Sequence, residues 1–235
     1  MQPIPVYNEV VESQDSARIF ILKVYSWMTI GLFITAVVSY APIFLLGENK
    51  LIELISENIF IFYGLLIFEL ILVFGLSAAI NKIPAILAYG IFLFYAFLNG
   101  VTLCTVFLIY TGSSVLSTFL VCSMMFAGTS VLGFITKMDL TKFGGFFMMA
   151  LIGLIAGSIV NIFLNSTTLE WIISFAGIII FVGLTAYDTQ RIKNMSYGAD
   201  GSEESKKASI MGALTLYLDF INLFLFLLRL LGRRN

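Results

Sequence analysis

There is no histidine anywhere in these 235 residues. Imidazole metal sites and Ser-His or Cys-His nucleophile pairs are thereby excluded, and any proton sensing near neutrality falls to carboxylates. Charge is scarce as well. Only 11% of residues are Asp, Glu, Lys or Arg, and 60% are hydrophobic, whereas a soluble domain carries about 25% charged residues. The net charge is −1, with no basic tract to suggest nucleic acid as a partner. The only cysteines, Cys104 and Cys122, fall in separate apolar runs and read as packing residues rather than a disulfide or metal pair. Phosphate loops, dinucleotide fingerprints and CxxC motifs are missing, so neither an enzyme nor a cofactor is expected. The opening residues carry Glu9, Glu12 and Asp15 instead of the basic start of a signal peptide, so the first apolar run is expected to stay in the mature protein.

What is present is apolar length. Seven runs are long enough to cross a bilayer, at about 20–46, 59–80, 84–110, 115–136, 143–164, 171–188 and 209–231. The expected class is an all-α integral membrane protein with seven transmembrane helices. A short polar N-terminal tail, 1–19, would precede a single transmembrane domain, 20–235. The longest connection, 190–208, is polar and reads as a loop. Of the thirteen Lys and Arg residues, nine fall on the side of the N-terminus and four on the other. The positive-inside rule then puts the N-terminus in the cytosol.

Against this apolar background, three acids are conspicuous. Asp219 lies about 16 Å into an apolar core roughly 30 Å thick, at about 1.5 Å of rise per residue. An ionised Asp at a helix centre costs at least ~2.5–3.5 kcal/mol, so the group must be protonated, paired, hydrated or ion-bound. Thr215, Asp219, Asn222 and Arg229, extended by Gly212, fall on one helical stripe. That stripe should face either a pathway or a hydrogen-bonded structural seam. Asp188 lies toward the cytosolic end of the sixth span and can approach Asp219 from the adjacent helix, or pair locally with Arg191. Glu69, in the middle of the second span, either works in a pathway or donates a structural hydrogen bond to a neighbouring helix. Tyr95, Asn99 and Thr102 recur at helical spacing in the third span. Gly153 and Gly157 form a GxxxG in the fifth, read as close helix packing.

Two carboxylates sharing a poorly hydrated site titrate in two macroscopic steps. Such a pair suits a proton relay, a weak Ca²⁺ site built from Asp188 and Asp219 with help from Asn222 and Glu69, or a proton-controlled gate. The Gly-Leu-Gly-Asp type of signature of intramembrane aspartyl proteases is missing around both.

The strings Gly183-Leu184-Thr185-Ala186-Tyr187-Asp188-Thr189-Gln190 and Gly212-Ala213-Leu214-Thr215-Leu216-Tyr217-Leu218-Asp219-Phe220-Ile221-Asn222-Leu223-Phe224 resemble the Bax inhibitor-1 (TMBIM) family in its bacterial inner-membrane branch. The likeness runs over about 18–234. It implies six helices around a central seventh, and a pH-sensitive Ca²⁺ leak gated by an aspartate pair that matches Asp188 and Asp219. A pathway glutamate of the family matches Glu69, and Thr215 and Asn222 would line the same path. Family channels carry an arginine latch at the cytosolic end of the second helix. Ile80 stands there in this chain, which leaves Lys82 or Arg191 as candidate latches. The 190–208 connection is also longer than expected for bacterial channels of the family. Two other roles stay open: a non-conducting regulator that binds another membrane protein, such as a protease or a cell-death factor, and a proton-coupled cation exchanger. The partners implied are the lipid bilayer, protons and Ca²⁺ as a permeant ion.

Overall fold

The computed structural model describes residues 5–235, with side chains from residue 15 onward. The described chain is helical: α1 (Pro5–Leu46), α2 (Glu48–Glu57), α3 (Ile59–Ala79), α4 (Ala85–Ile109), α5 (Gly112–Ile135), α6 (Gly144–Leu164), α7 (Thr167–Ser196) and α8 (Glu203–Leu231), with a 3₁₀ turn at Leu140–Phe143. Seven of these are long and apolar enough to cross a membrane, all but α2. Of the expected tail, residues 1–4 lie outside the described residues, and the backbone is helical from Pro5.

Local chemistry sets the ends. Thr111 caps α5, its hydroxyl accepting from Ser114 N. Asp139 caps the 3₁₀ turn by accepting from Thr141 N. Asn165, left-handed at φ 46°, closes α6 by donating its N–H to Asn161 O.

One connection carries a helix, and one expectation about a connection is corrected. The 46–58 link carries a helix of its own, α2. Its Leu51 is buried while Glu48, Lys50, Glu53 and Glu57 are exposed, so a polar composition concealed an amphipathic turn pattern. The 190–208 segment is mostly not a loop: α7 runs on to Ser196 and α8 starts at Glu203, which leaves only 197–202. The charges there are helix-end charges. Glu203 and Glu204 sit in the first turn of α8 and Lys193 in the last turn of α7, and Ser202 Oγ accepts from Ser205 N. Asp188 is therefore two turns inside its helix rather than near its end.

The chain divides into two compact units. The first holds α1 to α4 and the stretch Met195–Tyr217. There α4 packs on α1 and α3. Phe92, Tyr217 and Val24 are buried in its core, Trp27 stacks on Tyr89 at 4.4 Å, and Gly31 admits the Phe92 and Tyr217 rings. The second holds Tyr110–Asn194 and Leu218–Arg234. Its core contains Phe126 and Phe220, edge to face at 5.5 Å, and Phe181 stacked on Phe226 at 5.8 Å. Cys104 and Cys122 are buried free thiols, one in each unit. Across the spans, α8 is the most buried, at 67% of its most apolar window, and α6 the least, at 6%.

The glycines that allow close approach are not those of the GxxxG. A Cβ on Gly153 would meet nothing within 4 Å, and one on Gly157 would make only ordinary contact with Ile173. The tight crossing is at Gly133, where a Cβ would stand 2.5 Å from Ala186 O. The spacing in α6 marks no tight crossing: Gly157 meets α7 only at ordinary contact distance, and the helix presents most of its surface outward.

Candidate functional site

In the second unit, α7 and α8 each bring one acid inward. Asp188 and Asp219 are both buried, and their carboxyl groups are near enough to act on each other. A hydrogen bond between them would require a proton, because two carboxylates only accept. Asp219 Oδ2 is buried with no hydrogen-bond partner among the described residues. Arg191, exposed and one turn on from Asp188, acts on it through space.

The segment around Asp188 is clamped. Gln190 bridges the α5–α6 connection with both ends of its amide: Nε2 donates to Met138 O at 2.9 Å, and Oε1 accepts from Leu140 N at 2.7 Å. Lys193 Nζ donates to Phe134 O, near the end of α5, at 2.7 Å. Thr189 Oγ1 donates to Ser130 Oγ at 3.4 Å. With Gly133 pressed on Ala186, these ties fix the backbone that carries Asp188.

In the first unit, Glu69 of α3 is buried against α4. Thr102 Oγ1 donates to its Oε1 at 3.0 Å, and Asn99 Nδ2 donates to its Oε2 at 3.2 Å. Tyr217 OH donates to Asn99 Oδ1 at 3.2 Å and stands 2.7 Å from Thr35 Oγ1. The structure thus gathers Tyr95, Asn99 and Thr102, seen in the sequence as a helical row, around Glu69.

The remaining candidates join neither cluster by hydrogen bond. Thr215 Oγ1 donates to Met211 O, and Asn222 Nδ2 donates to Leu218 O, each within α8. Arg229 lies over the Phe226 ring at 5.2 Å. Lys82 sits exposed in the turn between α3 and α4, with no ion pair among the described residues. Of the α8 stripe, Asp219 is the residue that neighbours the acid of α7. Among the described residues, no three His, Cys, Asp or Glu side chains cluster as a metal site.

Gln190, Tyr217 and Thr35 were not singled out from sequence. Gln190 and Tyr217 do lie inside the two characteristic strings, whereas Thr35 carries no sequence signal at all.

The family described as inhibitor of apoptosis-promoting Bax1 matches residues 17–235. This chain belongs to the Bax inhibitor-1 family. Among its relatives are the inner membrane protein YbhL of Escherichia coli, 44% identical over 237 residues and the whole of both chains. An uncharacterised protein of Borreliella burgdorferi is 44% identical over 218 residues, 92% of each chain. An uncharacterised membrane protein of Streptococcus pyogenes is 40% identical over 231 residues, 97% of this chain and 99% of the other. Membership, together with seven helices of spanning length, makes this a multi-pass integral membrane protein.

Proposed function

We propose that this protein is a passive, pH-sensitive leak for Ca²⁺ or related cations, gated by Asp188 and Asp219. The observation that carries the reading is the burial of two neighbouring carboxyl groups, one from each helix, with Asp219 Oδ2 left unpartnered. A pair holding one proton ties α7 to α8. Loss of that proton leaves two facing carboxylates, whose repulsion in a poorly hydrated site drives the helices apart. The doubly charged pair then attracts a divalent cation, which prefers several oxygen ligands and keeps water where the protein supplies few. Glu69, Thr215 and Asn222 are the polar side chains we assign to cation conduction, with Lys82 or Arg191 as the candidate latch. The bacterial inner membrane, with the N-terminus in the cytosol, is the setting suggested by the name of YbhL and by the distribution of basic residues. No cofactor or catalytic step is part of this reading.

Asp219→Asn in proteoliposomes separates this reading from its rivals. A leak keeps passing Ca²⁺ but loses its pH dependence, and Asp188→Asn acts alike. A proton-coupled exchanger loses transport altogether. A regulator that works by binding another membrane protein shows no flux in either form.

A further inference from the structure

Glu69 is one of two buried side chains on α3, the other being Leu76. Behind it runs a row of polar groups on three other helices of the same unit: Asn99 of α4, Tyr217 of α8 and Thr35 of α1. The row ends at Ala96 O, 2.9 Å from Thr35 Oγ1. The titratable groups that act on Glu69 are Tyr95 from α4 and Tyr217 from α8. No Lys or Arg forms an ion pair with it among the described residues.

Counting hydrogens along this row gives two complete arrangements. With Glu69 as carboxylate, Asn99 Nδ2 donates to it, Tyr217 donates to Asn99 Oδ1, and Thr35 donates to Tyr217. With Glu69 protonated, the acid itself donates and needs an acceptor. A turned-over Asn99 amide offers Oδ1 to Glu69 and Nδ2 to Tyr217. Tyr217 then donates to Thr35, and Thr35 donates to Ala96 O. The heavy-atom positions serve both arrangements, because amide oxygen and nitrogen exchange places and each hydroxyl both donates and accepts. A side chain lacking a hydroxyl at 217 would break the row in either direction.

We propose that Thr35, Tyr217 and Asn99 form a proton-responsive relay that reverses its hydrogen-bond direction, through a turn of the Asn99 amide, when Glu69 gains or loses a proton. Tyr217 is its positioning residue. The relay carries the state of the one buried acid on α3 to α4, α8 and α1. It deepens the assignment of Glu69 to the cation path, and only its consequence for conduction rests on that assignment.

The test is nuclear magnetic resonance of the full-length protein in micelles, with ¹⁵N on asparagine side chains and the Asn99 signal identified by its loss in Asn99→Asp. The Asn99 amide is expected to move between two positions as pH changes. Its protons should contact the Tyr217 ring only in the acid form, and the movement should vanish in Glu69→Gln. In Tyr217→Phe, which keeps the edge-to-face contacts with Phe92 and Tyr95, the separation of the two positions should fall by at least half. A purely structural tyrosine would leave it unchanged. An Asn99 signal that ignores pH in the wild type, or that moves equally in Glu69→Gln, overturns the relay. If Tyr217→Phe fails to fold, the comparison of wild type with Glu69→Gln still decides, and Thr35→Val tests the far end. Flux measured on the same preparation separates the two readings: an amide that turns in a non-conducting protein keeps the relay and removes the leak.

Discussion

At the scale of single residues, the acids in the spans carry the argument because each is costly where it stands. On the proposed reading, Asp188 and Asp219 offset that cost by holding a proton between them, an arrangement stable only while the proton stays. Two ionised carboxylates face to face repel, so the wild type should lose stability as pH rises. Replacing both with asparagine should remove this loss, by an amount of order 1–3 kcal/mol at alkaline pH. Thermal unfolding in detergent at pH 6 and pH 9 checks it, and equal pH sensitivity in the double variant would contradict the shared proton. Asp188, Asp219 and Glu69 were legible in the sequence because an acid in an apolar run stands out. Tyr217, Asn99 and Thr35 were not legible as a group, since neutral polar side chains in helices often bond their own backbone, as Thr215 and Asn222 do. Only the packing of α1, α4 and α8 shows which of them look outward to a neighbour.

Elements explain why the acid on α7 is held so firmly. The Gly133 crossing leaves no room for a side chain, and the atom in the way is a backbone oxygen, which cannot swing aside. Gly133→Ala should therefore destabilise by about 1–3 kcal/mol through overpacking. Gly153→Ala, in open space, should be neutral or slightly stabilising in a helix interior. Paired melting curves of the two variants distinguish these outcomes. Gln190→Leu removes both ties to the α5–α6 connection and leaves Met138 O and Leu140 N unpaired. Faster hydrogen exchange at the Leu140 amide and a loss of about 1–3 kcal/mol are expected. At the same connection, hydrogen bonds from Thr141 to Asp139 hold its carboxyl below the usual range. That contribution is present at neutral pH and is lost as pH falls through the range where Asp139 takes up a proton. The spans were readable from hydropathy to within a few residues. The polar extensions of α7 and α8 were not, because charge in a membrane protein was read as loop when it was helix-end chemistry.

For the whole molecule, seven spanning helices and family membership agree with the sequence, and they limit what kinds of function are open. The chain has no His. Among the described residues, two buried polar clusters, one in each compact unit, are built around acids. On the proposed reading, a gated leak uses these buried acids directly. The decisive measurement is Ca²⁺ entry into proteoliposomes of the wild-type protein at pH 6, 7 and 8, against protein-free vesicles. The account predicts entry down the Ca²⁺ gradient that rises with pH as the aspartate pair gives up its proton. Entry no greater than that of empty vesicles at every pH, or equal at all three, would contradict it.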